Sequence, residues 1–328
     1  MLIFDRAYGQ INITEPIILE LLASPFLRRL AGVDQGGHTK PYWRTDQIIN
    51  RLEHSIGVYW LLKKYDAPLA EQVSGLIHDV SHSAFSHSID YILEGGDGKE
   101  QNHQDNIFAE FVRNSDLPAI LKKYDLDPDY ILDDKNFPLK EKPLPDLCAD
   151  RIDYSLRTAI AYEDISTDNL QEILNNLIVK DNFWIFKNLA TAKKYAELFR
   201  LLNTNYYTAP HAGAMHQAVG EYLRHALERG YLEKADLYTT DREVLDKLAV
   251  FHDSDPELSR LFTRIDNKIK FKDSQKNYDK IIHLKSRLVD PLFLDKNKIN
   301  RLSEVVPEWK EILKNELGHK TIYLKFID

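Results

Sequence analysis

The chain has 328 residues, 43% of them hydrophobic and 29% charged, with 17 Tyr and 14 Phe. That composition supports a sizeable core and excludes disorder over any long stretch, and the length fits one large domain with an appendage. A net charge of −8 argues against general nucleic-acid affinity, while a lone cysteine, Cys148, excludes an internal disulfide and fits a reducing compartment.

Met1 to Arg6 lack the charged-then-apolar order of a secretion signal, and no uncharged apolar run approaches the ~18 residues of a membrane span. A soluble, cytoplasmic protein is expected. In chain order, Ile11 and Ile13 alternate after Tyr8-Gly9, which predicts a small strand or hairpin. Pro16 opens a helix in which Ile17, Ile18, Leu21 and Leu22 recur at helical spacing. Gln35 to Arg44, with Gly36, Gly37 and Pro41, reads as a loop. Asp46 to Tyr65 reads as a helix with Ile49, Leu52, Ile56, Tyr59 and Leu62 as its stripe. Ala70 to Val80 reads as another, turning Val73, Leu76, Ile77 and Val80 to the core.

Asp97-Gly98 marks a break, Pro138 and Pro143 bracket a connector, and Pro145 opens a helix to about Tyr162. Ala190 to Ala226 is helical with an interruption around Pro210. Beyond about Tyr231 the chain turns Lys/Asp-rich, and Thr321 to Ile327 alternates like a strand. The pattern predicts a mostly α fold with a soft boundary near residue 235: a helical unit over 1–235 and a small, charged α+β C-terminal appendage over 236–328.

Histidine supplies only 12 residues, yet His78, His82, His87 and His103 fall within 26 positions and His54 lies just upstream. On the Ala70–Val80 helix His78 falls off the apolar face, on the side of Glu71, Ser74 and Gly75, where small residues let a backbone or an ion approach. A second polar stripe comprises Asp146, Asp150, Asp153 and Arg157 with Tyr154 adjoining, opposite Cys148, Ile152, Leu156, Ala159 and Ile160. Each of these residues taken alone is more often structural than ligating. Cys148 reads as a small buried apolar residue.

Their order carries more. His54, then His78-Asp79, then Asp150 reads H…HD…D, and the sequence resembles the HD superfamily of metal-dependent phosphohydrolases, nearest its deoxynucleoside triphosphate triphosphohydrolase (dNTPase) branch. The runs that carry the resemblance are Arg51 to Ser55, Gly75 to Asp90, Asn102-His103 and Leu147 to Arg157, with weaker likeness at Asp5 to Gly9 and Arg28 to Leu30. It covers roughly residues 3–165, is faint over 190–230 and is absent beyond.

The resemblance implies an HD-domain helical bundle in which His54, His78, Asp79 and Asp150 hold one divalent metal ion. Two imidazoles and two carboxylates suit Mn, Fe, Co, Ni, Zn or Mg without choosing among them. It further implies that Arg51, His82 and His87 contact substrate phosphate, that His103 paired with Asp90 manages protons, and that Arg151 and Tyr154 contact phosphate and sugar. A metal suits the task. General acid–base help supplies about 10²–10⁴-fold, whereas phosphate ester hydrolysis can need ~10²¹. A bound ion lowers the pKa of water from about 15.7 to near 7.

Three departures from the branch concern substrate. HD-x-Gly-His becomes His78-Asp79-Val80-Ser81-His82, the acid after Tyr-x-x-Arg is Thr158, and the Gln-Leu-Gly element that reads the ribose is Asp34-Gln35-Gly36-Gly37. The expected activity is therefore hydrolysis of a nucleotide phosphoester. A dNTP attacked at its α-phosphorus comes first, and a nucleoside monophosphate or other small phosphoester second. A non-catalytic nucleotide-binding regulator is a further alternative. The expected partners are a small nucleotide and, from the resemblance, further copies of the chain as a homo-oligomer. Arg264 to Arg287 holds eight Lys/Arg against three Asp. It reads as a solvated helix with Asp266, Asp273 and Asp279 interleaved, against a rival reading as a polyphosphate or nucleic-acid site. Tyr207, His211, His216 and His225 read as helix-packing groups, and Tyr206 as a candidate pocket residue.

Overall fold

The structure is a computed structural model that describes residues 1–44, 46–92 and 103–327. Asp97-Gly98 and Asn102 lie outside the described residues. Among the described residues sixteen α-helices outweigh nine strands, as a mostly α reading requires. None of those helices is long and apolar enough to cross a membrane.

Leu2–Asp5 and Gly9–Asn12 form the expected antiparallel hairpin, with Ile3 opposite Ile11. The first long helix is Arg51–Lys64 rather than one starting at Asp46. Residues before it are held extended, because the Gln35 N–H donates to the Ile49 carbonyl at 2.8 Å and Asp34 bridges to Asn50. Asn50 then caps the helix, its side chain accepting the Glu53 N–H at 2.9 Å. The Gln35–Arg44 stretch is not wholly loop. Asp34 accepts the Thr39 N–H at 2.7 Å and its hydroxyl at 2.6 Å, which nucleates a short helix, Thr39–Trp43.

The next helix runs Leu69–Ile77 and stops before His78, so the His78-Asp79 pair sits in the turn that follows. Gly75 belongs where the two helices touch: a Cβ there would lie 2.4 Å from Leu62 Cδ1. Glu71, on the same face, receives the Leu139 and Lys140 N–H groups at 2.6 and 3.0 Å, and so anchors the connector. The helix expected from Pro145 begins only at Ala149 and ends at Ala161. Asp146 thus leaves the stripe and pairs with Arg301 at 2.5 Å.

Leu189–Leu202 and Pro210–Glu228 are separated by a wide turn at Asn203–Tyr207, the interruption expected near Pro210. Strands Leu177–Lys180 and Phe183–Phe186 join Leu292–Asp295 and Lys298–Arg301 in one four-stranded sheet, so the division near residue 235 runs between strands of that sheet. The basic segment is not a solvated helix. It leaves the Pro256–Ile265 helix and becomes strands Lys270–Asp273 and Lys280–Ser286, on either side of Gly318–Ile327. Lys268-Ile269-Lys270-Phe271-Lys272 alternates with period two, a strand signal that its charge obscures.

Trp184 joins the four-stranded sheet to the connector: its ring is buried against Tyr65 and its Nε1 donates to the Leu139 carbonyl at 2.9 Å. Trp184→Ala is expected to cost about 3–5 kcal/mol in urea unfolding. Trp184→Phe, which strands only the carbonyl, should cost about 1–3 kcal/mol. Equal losses for the two variants would contradict this assignment.

Candidate functional site

The helices and connector enclose a cleft of about 940 Å³. At its base the turn after Ile77, the Arg51–Lys64 helix and the Ala149–Ala161 helix bring His78, His54 and Asp150 together. His54 Nδ1 lies 2.7 Å from Asp153 Oδ2 and its Nε2 lies 2.9 Å from Asp150 Oδ1. His78 Nδ1 lies 2.7 Å from the Gly75 carbonyl, and its Nε2 lies 3.2 Å from His54 Nε2.

A carboxylate and a carbonyl only accept, so both Nδ1 atoms carry hydrogen, and each ring in its neutral form turns a lone pair out at Nε2. Two lone pairs facing each other beside a carboxylate oxygen repel unless a positive charge sits among them. These residues therefore fit a cation. His54, His78 and Asp150 each offer one donor atom within 4.8 Å of the others. Asp79 adjoins this triad, 3.4 Å from His78 Nε2 and 3.8 Å from His54 Nε2, with Arg51 Nη1 donating to its Oδ2 at 2.6 Å.

The electrostatics point the same way. Burial opposes a charge on His54, but hydrogen bonds that the ring donates to Asp150 and Asp153 outweigh it and raise the imidazole to about 9. His78 is also raised, burial being overcome chiefly by the Asp79 charge. Asp150 is held far below the usual carboxylate range, burial being outweighed by hydrogen bonds to the two imidazoles. Asp79 is held low as well, with the Arg51 charge overcoming burial.

Asp153, on the same helix as Asp150, orients His54 and is itself gripped by Arg157. Nε donates to Oδ2 at 2.9 Å and Nη2 to Oδ1 at 3.0 Å. Arg157 Nη1 reaches on to Asp5 at 2.8 Å and Glu53 at 3.2 Å. Gly57 makes room for this network: a Cβ there would fall 1.9 Å from Asp153 Oδ1 and 2.2 Å from Arg157 Nη2.

The other expected residues divide. Arg51, His82, His87, Arg151, Tyr154, Gln35 and Tyr206 line the cleft. His82 Nε2 lies 3.3 Å from Asp79 Oδ1, and burial together with the Arg51 charge lowers it well below the usual imidazole value, so it is neutral. Arg151 is tied to the carbonyls of Lys142 and Asp146 at 3.2 and 2.7 Å. The hydroxyl of Tyr206 donates to Asp164 at 3.0 Å. Asp90 and His103 are not among the lining residues. The expected ring pairing between them is absent: the His103 backbone N–H donates to Asp90 Oδ1 at 2.8 Å, and the ring Nε2 lies 3.0 Å from the Tyr238 hydroxyl. The reason is local. Asp90 caps the backbone at the start of the His103–Arg113 helix, which turns the ring toward Tyr238. The side chain of His87 is nearer, 3.4 Å from Asp90 Oδ2.

The sequence assigns no role to Lys140, Glu141 or Lys142 and offers Lys285 and Arg287 only the rival reading of the basic segment as a polyphosphate or nucleic-acid site; all five line the cleft. Only Glu71 could have signalled the connector, and nothing local marks Arg287.

A family profile described as "HD domain" matches residues 51–157. The chain is 33% identical over 331 residues to the uncharacterized protein YdhJ of Bacillus subtilis, covering 100% of this chain and 99% of that protein. It is 31% identical over 281 residues to the metal-dependent phosphohydrolase cns2 of Cordyceps militaris, covering 81% of this chain and 77% of the relative. The chain belongs to the HD family of metal-dependent phosphohydrolases. Mouse SAMHD1, a deoxynucleoside triphosphate triphosphohydrolase, is 29% identical over 147 residues, 38% of this phosphohydrolase and 22% of SAMHD1, so the likeness to the dNTPase branch is partial. A phosphohydrolase structure from Bacteroides thetaiotaomicron superposes with a TM-score of 0.74 at 16% identity. It covers 100% of this chain and 99% of that one, so the fold is shared from end to end.

Asp153→Asn removes the charge that orients and polarises His54. Metal affinity is expected to fall about 10–100-fold by chelator competition, with the fold retained in circular dichroism. An unchanged affinity would contradict that role. The pH dependence has a definite sign. Because the folded-state value of His54 is raised to about 9, its protonation stabilises the metal-free fold fully below about 6.5 and ceases to do so as pH rises through about 9. A metal requires the neutral ring, so apparent affinity should climb over the same interval with proton release. A flat profile between these pH values would argue against it.

Proposed function

We propose that this phosphohydrolase cleaves a nucleotide phosphoester, with a deoxynucleoside triphosphate as substrate attacked at its α-phosphorus, and that His54, His78, Asp79 and Asp150 hold one divalent ion. The observation that carries the reading is the facing Nε2 pair with Asp150 at the base of a cleft also lined by Arg51, Lys140, Lys142 and Arg151. When bound, the ion supplies a water of lowered pKa and neutralises phosphoryl charge.

The chain's own residues do the rest. Arg51, braced by Ser86 at 2.8 Å and by Asp79, presents a fixed positive charge toward the phosphate. His87 and the neutral His82 line the same cleft, suited to donate hydrogen bonds to phosphoryl oxygens. Arg151 adds charge from the opposite helix. Gln35 and Tyr206 are the candidates to hold the sugar and base, and Tyr154 to contact the phosphate chain next to the sugar. His103 acts at one remove, through the backbone bond that fixes Asp90 beside His87.

A second reading, hydrolysis of a nucleoside monophosphate or other small phosphoester, is favoured by one observation. Thr158 lines the cleft, where the resemblance assigns a carboxylate to the sugar 3′-hydroxyl. A shorter list of phosphate contacts would serve such a substrate.

Purified protein loaded with Mn or Co is expected to release triphosphate from dNTPs, and Asp150→Ala should lose both metal and turnover. Release of orthophosphate from monophosphates alone would select the second reading. Ligand-induced thermal stabilisation without turnover of any phosphoester would reject catalysis in favour of a nucleotide sensor.

A further inference from the structure

We propose that Arg287 and Lys285, delivered by the C-terminal three-stranded sheet, form an anion subsite in the cleft that binds the phosphate groups of a polyphosphate chain remote from the metal-binding end. The proposal deepens the nucleotide reading above and rests on it for the identity of the natural ligand.

Both residues line the same cleft as the imidazole pair, although they lie far beyond the HD-matched segment. The sheet is pressed onto the Pro210–Glu228 helix through Ile282, Leu284, Ile322 and Leu324 against Ala212, Ala214, Met215 and Ala218. Where the chain leaves the Lys280–Ser286 strand, buried Asn203 holds it from both sides. Its Nδ2 donates to Ser286 Oγ at 2.9 Å, and its Oδ1 accepts the Arg287 N–H at 2.9 Å. Asn203 begins the wide turn that carries Tyr206 and Tyr207, so one buried amide sets the sheet exit against the tyrosine wall.

Arg287 consequently stands in a chemically defined place. Its positive charge acts on the Tyr154 and Tyr207 hydroxyls and on His216, and Tyr154 also feels Arg151. Arg151, next to Asp150, and Tyr154, Tyr207 and Arg287 thus line one cleft as a set of cationic and hydroxyl groups. An independent observation shows what this end of the cleft lacks: the hydroxyl of Tyr154 is buried and has no hydrogen-bond partner. Buried hydroxyls are ordinarily satisfied, and a free phenolic donor in a cleft it shares with a guanidinium suits an anion with several acceptor oxygens. An orthophosphate at the metal-binding end fills one station, whereas a triphosphate chain extends toward both.

The test is calorimetric titration of the full-length, Mn-loaded protein with tripolyphosphate and with orthophosphate, metal content being measured afterwards. The wild type should bind tripolyphosphate at least about tenfold more tightly than orthophosphate. Arg287→Gln and Lys285→Ala should each weaken tripolyphosphate by about ten- to hundredfold, the range of a lost charge-assisted contact, while leaving orthophosphate affinity and metal content within about twofold. Arg287→Lys should keep part of the affinity. Lys285→Ala carries the test if Arg287→Gln does not fold. Tripolyphosphate affinity within twofold of wild type in both variants, or no preference for tripolyphosphate in the wild type, overturns the subsite. A subsite that passes while every nucleotide goes uncleaved overturns the nucleotide reading instead.

Discussion

A guanidinium with no solvent exposure, that of Arg157, shared among Asp153, Asp5 and Glu53, is the constraint on which the rest of the site depends. It joins three parts of the chain: the N-terminal hairpin through Asp5, the Arg51–Lys64 helix through Glu53, and its own helix through Asp153. A buried ion pair contributes little net stability, but removing one partner costs about 3–5 kcal/mol because the other charge is then stranded. The network is therefore best understood as fixing geometry. Asp153, pinned by two Arg157 nitrogens, keeps Oδ2 turned toward His54 Nδ1 at 2.7 Å. The same imidazole then has its other nitrogen aimed at His78 and Asp150, so a salt bridge one layer out decides which way a ligand atom points.

The opposite wall of the cleft depends on a different kind of support. There the backbone is held by amide and carboxyl groups. Asn203 ties the C-terminal sheet to the tyrosine turn. Asp241 accepts the Asp34 N–H at 2.9 Å and the Phe85 N–H at 2.7 Å, and so holds the segments that precede Gln35 and His87. Arg29 adds a third tie, donating to the Val80 and His82 carbonyls, each at 2.6 Å. The loops that carry His82 and His87 are thus braced by residues distant in sequence, which accords with the whole-chain match in fold to the Bacteroides phosphohydrolase. Burial, with the Asp34 charge beside it, raises Asp241 to about 7.

The residues at the base of the cleft were legible through their order, His54, His78-Asp79 and Asp150, and through the Ala149-to-Tyr154 run, which together carry the family resemblance. Helix limits were less so. Asp46 to Ile49 has helical composition, yet a bridge from Asp34 holds it extended, and only tertiary contact reveals that. Pro145 looked like a helix start, but the chain waits until Ala149. The resemblance pairs His103 with Asp90 without telling a backbone donor from a side-chain one, and the contact here is through the backbone N–H. Arg264 to Arg287 was read through its charge rather than its period-two alternation. With the strands missed, so was the entry of Lys285 and Arg287 into the cleft.

Whether the cation sits between the two imidazoles is best tested by X-ray absorption at the metal edge of the loaded, full-length protein. A second group of donors, Glu141, Cys148 and Asp150, shares a ligand with the first and offers sulfur in place of the imidazoles. Two imidazole signatures with oxygen donors and no sulfur is the result expected for a centre at His54 and His78. A metal–sulfur distance, or scattering from fewer than two imidazoles, would contradict it.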